Sequence, residues 1–540
     1  MLECIYEEKK IFQINANTFE RRMGMILVDP SLIKRIDEYA IRALGIPAEE
    51  LMLRSGRAVA SQIRANVALG GTVRIFAGKG NNGGDGYAAA CLLMNDYDVI
   101  VYDVFSSGQR TEEGKHFLTL FASSGGRVEP LTLDTDQLSD VSHSDCIVDA
   151  VFGTGFTSDL PKIAIKLANT FAHLDKPFKL AVDVPLGVNA SDGSVIDNAT
   201  YHAHSTITLG FIKTGLVSYP AKEYVGKLVY ENIGLQISDF RSIIDSDTHL
   251  VDSDLAASLV PHRKENSSKG TFGKLLLITG SPRFPGAAHL SLEAALRGGA
   301  GYVTFIGDEE TCASLLPSFP EAIYRKFPMA HLTPKDAQEI VSIAHNHTAV
   351  LFGSGSTVNA SFLPLLEALL TTDGCPLILD ADAINLLSLD SEKGRALIRN
   401  SPRKVILTPH PLELSRLCGL SVDEIQANRL SVAKRFASEN NCILLLKGAA
   451  TIVTDGITTY VNSSGSSALA KAGSGDVLSG FLASVVGSGV DPIDGAALSA
   501  YFHGIAGDAL AGELSLLGVT PSDLAREIAR QIAGAIQSKQ

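Results

Sequence analysis

Short apolar runs rich in β-branched residues alternate with helix-length amphipathic segments along most of the chain, and this pattern limits the possible folds more than any other feature. The runs include TVRIFA, DVIVYDVF, CIVDAVF and KLAVDVP in the first half, and GKLLLITG, GYVTFIG, PLILDADA and KVILTPH in the second. Apolar strands separated by helices are typical of parallel sheets built from βαβ units and covered by helices on both faces. We therefore predict an α/β protein.

The chain is too long for a single hydrophobic core. Its 540 residues exceed the roughly 250 to 300 residues at which one core stops growing, so at least two domains are expected. A polar segment, GLQISDFRSIIDSDTHLVDSDLAASLVPHRKENSSKG, separates the two sets of strands. We place an N-terminal extension over residues 1–25, one domain over 26–240 and a second over 241–540.

Charge and composition exclude several classes of partner. The 46 basic and 59 acidic residues give a net charge of -13, and no basic stripe could follow a phosphate backbone, so we expect no nucleic acid partner. No uncharged run approaches the length of a membrane span, and the first residues lack the apolar stretch of a signal peptide. Seven scattered cysteines without a CxxC pair indicate thiols in a reducing compartment. We expect a cytoplasmic protein, no membrane partner and a homo-oligomer.

The glycine-rich stretch AGKGNNGGDG follows the first of these strands and precedes a helix-like segment. Gly78, Gly80 and Gly83 have the G-x-G-x-x-G spacing of a dinucleotide-binding turn, and Asp103 stands about where a ribose-binding acid would follow. A cofactor turn does not need the adjacent Asn81 and Asn82 or the carboxylate of Asp85, however. These polar groups can ligate a cation or hold a polar substrate ring, so the residues alone leave both interpretations open.

Other polar residues in the first half also come directly after apolar runs. Asp149 follows CIV, Asp183 follows KLAV and Lys213 follows the run STITLGFI. Ligands of open parallel sheets bind beyond the carboxyl ends of the strands, so these residues are candidates for a site. Aspartates at strand ends also commonly cap the following helix, which is the structural alternative for each of them.

The motifs GKGNNGGDG, DAVFGTG and DVP, in this order after IDEYAIRALGIPAEELMLRSGRAVA, resemble the NAD(P)H-hydrate epimerase family over about residues 26 to 236. The resemblance implies a Rossmann-like three-layer α/β/α sandwich that interconverts the R and S epimers of hydrated NADH or NADPH. It implies a potassium ion near Asn82 and Asp149. It also implies a set of hydrate-binding residues: Asn81, Asn82, Gly83, Gly84, Asp85, Gly153, Thr154, Gly155, Phe156, Thr157, Ser158, Asp159 and Asp183.

One position departs from the epimerase pattern. Members of that family commonly read D-x-P-S-G, with the serine near the ion, whereas this chain has Leu186 in DVPLG. A side-chain oxygen is therefore lost from the implied potassium site.

The second half contains a small-residue loop that runs into an apolar helix, SSALAKAGSGDVLSGFLASVV. Backbone amides at the start of that helix could hold a phosphate, and Asp476 beside them could take a proton from a substrate hydroxyl. The structural alternative is that GSGD is only a good helix cap. Further polar residues follow strands in KGAAT, in TPHPLEL with His410 and Glu413, and in LDADAINLL with Asp380 and Asp382.

The motifs KGTFG, PGAA, GSGS, LDADAI, TPHPLE, KGAAT and AGSGDVLSG together resemble the ribokinase-like NAD(P)H-hydrate dehydratase family over about residues 250 to 540. The resemblance implies a second α/β/α domain. It implies that Ala287, Gly355, His410 and Asp476 contact the hydrate, although GSGST departs from the usual G-P-G-L-G around Gly355. It implies nucleotide contacts from Lys447, Gly448, Ala449, Ala450, Thr451, Ser466, Ser467, Ala468, Leu469, Ala470, Lys471, Ala472, Gly473, Ser474 and Gly475.

Together the two resemblances predict a bifunctional repair enzyme, an isomerase joined to a lyase. The expected reaction epimerises the hydrates and dehydrates the S epimer to NADH or NADPH at the expense of ADP, giving AMP and phosphate, with Mg²⁺ and K⁺ as cofactors. The residues do not distinguish ADP from ATP. The alternatives are a small-molecule kinase with a dinucleotide-binding regulatory half, and a first half that serves only as a binding or scaffold module.

Overall fold

The computed structural model describes residues 25–105, 108–155, 160–244 and 247–537. The chain divides into two compact units, an N-terminal unit over Ile26–Ser246 and a C-terminal unit that contains Asp247–Gln540. Among the described residues, no helix is both long enough and apolar enough to cross a membrane.

The N-terminal unit alternates strands and helices. Its strands are β1 (Met25–Val28), β2 (Thr72–Ala77), β3 (Asp98–Asp103), β4 (Arg127–Pro130), β5 (Cys146–Ala150), β6 (Phe178–Val182), β7 (Ser205–Leu209), β8 (Ile212–Lys213) and β9 (Lys227–Glu231). Its α-helices are α1 (Pro30–Arg42), α2 (Ala48–Asn66), α3 (Asn81–Leu93), α4 (Glu112–Ser123), α5 (Thr135–His143), α6 (Lys162–Ala172) and α7 (Lys222–Val225).

A seven-stranded parallel sheet with the order β4-β3-β2-β5-β6-β7-β9 organises this unit. Successive residues of a strand point to opposite faces, so Ile75 of β2 packs under helices α1 to α4 while Phe76 faces α5 and α6. Phe76 lies 4.7 Å from Phe171 between ring centroids. The order reverses between β2 and β5, because the chain first builds β3 and β4 on one side and then crosses to the other.

The C-terminal unit repeats this alternation with more elements. Its strands are β10 (Thr248–Val251), β11 (Lys274–Ile278), β12 (Tyr302–Gly307), β13 (Ile323–Lys326), β14 (Ala349–Phe352), β15 (Leu377–Leu379), β16 (Val405–Leu407), β17 (Ile443–Leu446), β18 (Ile452–Thr454) and β19 (Thr459–Asn462). Its α-helices are α8 (Ser253–Leu259), α9 (Pro285–Arg297), α10 (Glu309–Leu315), α11 (Pro334–Ala344), α12 (Leu363–Thr371), α13 (Asp382–Leu387), α14 (Ser391–Arg399), α15 (Pro411–Cys418), α16 (Val422–Ala427), α17 (Arg429–Asn440), α18 (Ser474–Gly487), α19 (Pro492–Gly518) and α20 (Pro521–Gln537).

The strands of this unit lie in the order β13-β12-β11-β14-β15-β16-β17-β18-β19-β10. Strands β11 to β17 run parallel to their neighbours, and β17-β18-β19 turn back as antiparallel hairpins. Leu277 of β11 belongs to a core shared with α18, α19 and α20, whereas Ile278 belongs to a core on the other face with α11 to α17. The prediction of an α/β protein with helices on both faces of parallel sheets is confirmed in both units.

Candidate active sites

The first candidate site lies at the carboxyl ends of β2 and β5, where the strand order of the N-terminal unit reverses. The loops that follow these strands touch each other, since a Cβ on Gly78 would lie 1.9 Å from the carbonyl oxygen of Val151. A Cβ on Gly83, near the start of α3, would lie 2.0 Å from the oxygen of Gly78. Only glycine permits this approach, and open α/β sheets bind ligands at such a reversal.

Helix α3 begins in this crevice with the polar residues of the glycine-rich stretch. Asn81, Asn82, Gly83, Gly84 and Asp85 occupy its first residues. Asn82 donates from Nδ2 to the carbonyl oxygen of Phe152 at 2.7 Å, which ties α3 to the loop after β5. The amide oxygen of Asn82 is buried and has no hydrogen-bond partner among the residues that the structure describes. A buried acceptor without a partner is costly, so this oxygen is available to a ligand.

Asp149 ends β5 and lies almost completely inside the protein, at 1% exposure. Its two oxygens accept main-chain hydrogen bonds, from Val151 at 3.1 Å and from Leu186 at 2.6 Å. Burial raises the pKa of Asp149 to about 7. The side chain of Leu186 packs into the apolar core beneath α6, so this residue offers Asp149 its amide but no side-chain oxygen.

Asp183 follows β6 with a left-handed backbone (φ +66°) that turns the chain back at the edge of the crevice. A Cβ on Gly153 would lie 3.3 Å from Asp183 Oδ2 and 3.6 Å from Asn82 Cβ. Asn82, Gly153 and Asp183 therefore meet at one place, and Thr154 and Gly155 follow Gly153 in the same loop. The predicted residues Phe156, Thr157, Ser158 and Asp159 lie outside the described residues.

A buried lysine holds Asp183. Lys213 of β8 is 1% exposed and forms an ion pair with Asp183 Oδ1. Its ammonium also donates to the carbonyl oxygen of Leu209 at 2.9 Å and to Thr208 Oγ1 at 3.3 Å. All three donors of the ammonium are thus used inside the protein. Lys213 acts as a fixed counter-charge rather than a free surface cation.

Two further carboxylates face this pair. Asp85 is buried, and its pKa is raised well above the usual value by burial and then by the charges of Asp183 and Asp37. Burial also raises the pKa of Asp37 in α1 to about 6. Sequence reasoning missed Asp37, because it lies within an amphipathic helix rather than after a strand, and no pattern connects it to β6 or β8.

Asp103, the residue in the position of a ribose-binding acid, is already paired within the protein. Arg110 forms an ion pair with Asp103 and also donates to the carbonyl oxygen of Phe105 at 3.3 Å. Both side chains are 11% exposed. A carboxylate neutralised in this way is poorly suited to accept hydrogen bonds from a ribose, which favours the substrate interpretation of the glycine-rich stretch over the cofactor interpretation.

The second candidate site lies at the carboxyl ends of β11 and β14 to β17 in the C-terminal unit. Ala287, in the first turn of α9, and Gly355, after β14, face each other closely. A Cβ on Gly355 would lie 2.4 Å from Ala287 Cβ, and Gly355 has φ +65°. The oxygen of Gly355 accepts a hydrogen bond from Ser281 Oγ at 2.8 Å. Ala287 and Gly355, both predicted from the sequence, form one wall of the crevice.

A buried ion pair forms the floor of the same crevice. Asp380, after β15, accepts hydrogen bonds from Thr408 Oγ1 at 2.7 Å, from Ser354 Oγ at 2.8 Å and from Lys447 Nζ at 3.0 Å. Burial alone would raise the pKa of Asp380, but Lys447 and the two hydroxyls hold it below its usual value. Asp380 is therefore a permanent negative charge, and it fixes Lys447 at the end of β17.

His410 follows β16 and caps α15. Its Nδ1 accepts from the amides of Leu412 and Glu413, at 3.2 and 3.3 Å. Its Nε2 lies 3.2 Å from Glu413 Oε1. Burial and the positive charge of Lys447 lower the pKa of His410, so the imidazole is neutral near pH 7. The ring is half-exposed at the rim of the crevice, where it can contact a ligand.

Asp476 lies in the first turn of α18, after Gly473 with φ +98°. A Cβ on Gly475 would lie 3.5 Å from Lys447 Nζ, so the start of this helix meets the Asp380–Lys447 pair. Burial, together with the charge of Asp380, raises the pKa of Asp476 to about 7, and Lys447 opposes this shift. The crevice therefore combines helix amides, an ammonium and a carboxylate that can exchange a proton near neutral pH.

The two predicted nucleotide loops follow different elements of the C-terminal unit. Gly448, Ala449, Ala450 and Thr451 form the turn between β17 and β18, where Thr451 Oγ1 donates to the oxygen of Gly448 at 2.9 Å. The other loop runs through Ser467, Ala468, Leu469, Ala470, Ala472 and Gly473 to Ser474. The hydroxyl of Ser466 is buried and has no hydrogen-bond partner in the described part of the chain.

Two side chains in or near the second loop bond to the protein itself. Lys471 donates to the carbonyl oxygen of Leu517 at 2.6 Å, so its ammonium is used within the protein. His503 of α19, which sequence reasoning missed, lies 3.1 Å from the carbonyl oxygen of Ser474. Burial lowers the pKa of His503 to about 4, so it is neutral and holds the first turn of α18 in place.

Two family models match separate parts of the chain. A family model described as NAD(P)H-hydrate dehydratase matches residues 275–530, and one described as YjeF-related protein N-terminus matches residues 48–215. A bifunctional NAD(P)H-hydrate repair enzyme of Moorella thermoacetica is 32% identical, with 93% of this chain and 95% of the relative covered. The enzyme of the same description from Escherichia coli is 30% identical, with 94% of each chain covered.

Among solved structures, an ADP/ATP-dependent NAD(P)H-hydrate dehydratase from Bacillus subtilis is 28% identical, with a TM-score of 0.46, covering 53% of this chain and 97% of that chain. The full-length relatives decide the assignment, since both halves of the chain match them in one alignment. The chain belongs to the family of bifunctional NAD(P)H-hydrate repair enzymes.

Proposed function

We propose that this protein epimerises the R and S hydrates of NADH and NADPH and dehydrates the S epimer back to the reduced dinucleotide, with ADP as phosphoryl donor. The N-terminal domain, residues 26–240, would be the epimerase and residues 241–540 the dehydratase. The main observation in support is that the start of α18 places Asp476 and Lys447 together, as a base and a positive charge for phosphoryl transfer.

The epimerase site is proposed at the carboxyl ends of β2, β5 and β6. Asn81 to Asp85, Gly153 to Asp159 and Asp183 would contact the hydrate. An acid and a base are both needed to exchange the two epimers, and this crevice contains Asp85, whose pKa is raised by burial, beside Asp183, paired with Lys213.

Asn82 and Asp149 are the proposed potassium ligands. The orphaned amide oxygen of Asn82 and the buried carboxylate of Asp149 are hard oxygen donors that fit such an ion. Bound there, the cation would supply positive charge beside the substrate. The position of Leu186 would contribute no third side-chain oxygen.

The dehydratase site is proposed at the carboxyl ends of β11 and β14 to β17. Ala287, Gly355, His410 and Asp476 would contact the hydrate, and the loops 447–451 and 466–475 would contact the nucleotide. Mg²⁺, held mainly by the phosphates, would neutralise their charge. The ammonium of Lys447 and the amides at the start of α18 would stabilise the transferred phosphoryl group.

In the proposed reaction, hydroxide, which is a poor leaving group, is converted to phosphate, which is a good one. Asp476 removes the proton from the ring hydroxyl as its oxygen bonds to the β-phosphorus of ADP, and the bond from that phosphorus to the bridging oxygen breaks to release AMP. The ring nitrogen then donates its lone pair as the C6–O bond breaks and phosphate leaves. Loss of a proton from C5 restores the dihydropyridine ring, so the net reaction is hydrate plus ADP giving NAD(P)H, AMP and phosphate.

The test is to incubate the full-length protein with mixed NADPH hydrates and either ADP or ATP, and to follow reduced-nicotinamide absorbance, AMP and phosphate. We expect complete conversion of both epimers, with one AMP and one phosphate formed per NADPH when ADP is the donor. A phosphorylated product that persists would instead support the small-molecule kinase. Recovery limited to the spontaneous rate of epimer exchange would contradict the epimerase half and support a scaffold role.

The described cysteines are all free thiols, which suits the reducing cytoplasm that we propose as its location. Assembly as a homo-oligomer stays a prediction.

A further inference from the structure

Asp380 does not contact the reactants in the proposed reaction, although its carboxylate accepts hydrogen bonds from three side chains. It is 1% exposed, so it is buried beneath the crevice rather than lining it. Its Oδ1 accepts from Thr408 and Lys447, and its Oδ2 accepts from Ser354, so three strand ends contribute donors. A charged group buried with this many partners has a fixed position and a fixed charge.

Lys447 is held between Asp380 and Glu413. Its Nζ lies 3.0 Å from Asp380 Oδ1 and 3.8 Å from Glu413 Oε2, and it is close to Gly475 at the start of α18. Burial would lower the pKa of Lys447, but Asp380 and Glu413 keep it above the usual value, so the side chain stays an ammonium. Without Asp380, the remaining ion pair of Lys447 is the longer one to Glu413.

We propose that Asp380 is a positioning residue for phosphoryl transfer, which holds the Lys447 ammonium at the start of α18 beside Asp476. The inference rests on the proposed dehydratase function and adds to it a residue that does not touch the substrate. Asp380 makes no bond to the reactants. It acts through Lys447, whose charge faces the phosphoryl group, and through its own negative charge near Asp476.

The charges around Asp476 predict the direction in which each substitution should move its pKa. Asp380 and Asp382 are negative and raise the pKa of Asp476, whereas Lys447 is positive and lowers it. Removal of the Asp380 charge therefore lowers the pH at which Asp476 loses its proton, and removal of the Lys447 charge raises it. A residue with only a structural role would change the amount of active enzyme without moving this pH.

The experiment compares Asp380→Asn and Lys447→Met with the wild type, all as full-length proteins, in the pH dependence of kcat for dehydration of (S)-NADPH hydrate with ADP. Asparagine can keep hydrogen bonds to Thr408 and Ser354 while it loses the charge. We expect Asp380→Asn to lower kcat by on the order of 10²-fold, with little change in KM for the hydrate. The acid limb of its pH profile should move to lower pH, because the charge of Asp380 raises the pKa of Asp476 more than Lys447 lowers it, and that of Lys447→Met should move to higher pH.

Asp382→Asn is the matched charge control. Asp382 also raises the pKa of Asp476, but its Oδ2 accepts from the amide of Thr357 at 2.8 Å and does not bond Lys447. This variant should move the acid limb in the same direction as Asp380→Asn while it retains most of kcat. Epimerase activity in the same protein and thermal unfolding report whether each variant is folded.

Two results would overturn the inference: an acid limb of Asp380→Asn that stays at the wild-type pH or moves to higher pH, or a kcat for this folded variant that equals the wild-type value. A wild-type protein that makes no AMP from ADP and hydrate would instead contradict the proposed function, so the two failures can be told apart.

Discussion

Substitution of Asp476 by asparagine tests the central step of the proposed dehydratase. The change keeps the size of the side chain and its place in the first turn of α18, and it removes the group that accepts the proton. General-base catalysis contributes about 10²- to 10⁴-fold to a rate, which corresponds to roughly 2.7 to 5.4 kcal/mol in activation free energy. We expect dehydration by Asp476→Asn to fall by this factor.

The pH dependence follows from the same carboxylate. The pKa of Asp476 is raised to about 7 by burial and by Asp380, and the ionised form is the active one. Activity should therefore fall as the pH falls through 7. Between pH 8 and pH 6 the ionised fraction of such a group drops about tenfold, so kcat of the wild type should drop by that factor. The variant, which has no carboxylate, should lose this limb.

The assay is regeneration of NADPH absorbance from purified (S)-NADPH hydrate with ADP, measured from pH 5.5 to 8.5 for both proteins. Exchange of R and S hydrates by the same samples should be unchanged, because Asp476 lies in the other unit, and thermal unfolding of the variant provides the folding control. If Asp476→Asn regenerated NADPH at the native rate, or kept the same acid limb at reduced rate, Asp476 would not be the base.

Three other substitutions test the remaining parts of the structure. Leu186→Ser should destabilise the N-terminal unit by about 2 to 5 kcal/mol, measured by urea unfolding, because Leu186 is buried in its core; a cost near zero would contradict this packing. Gly355→Ala should lower kcat/KM for the hydrate and lower the free energy of unfolding by about 1 to 3 kcal/mol, because the new Cβ would lie 2.4 Å from Ala287 Cβ. Addition of Ala287→Gly should restore part of both losses. Lys213→Met should lower the free energy of unfolding of the N-terminal unit by about 3 to 5 kcal/mol, because it leaves the largely buried Asp183 without its ion-pair partner. The loss should shrink in an Asp183→Asn background, and equal losses in both backgrounds would refute the pairing.

Most of the sheet could be predicted from the sequence, because buried parallel strands have a strong local signature. The runs around Ile75, Ile278 and Leu379 form central strands of their sheets. STITLGFI was expected as one strand and is two, β7 and β8, since Gly210 has φ +73° and turns the chain. That turn directs Lys213 towards Asp183.

The sequence by itself determined which residues follow the strands, and in a parallel sheet this is enough to gather Asn82, Asp149 and Asp183 at one edge. Only the tertiary structure decided the charge state of each group. The pKa of a carboxylate depends on burial and on neighbours that are distant in the chain. Asp37 and Asp85 come together across α1 and α3, and Asp380, Lys447 and Asp476 across three different elements, and none of these distances is present in the order of residues.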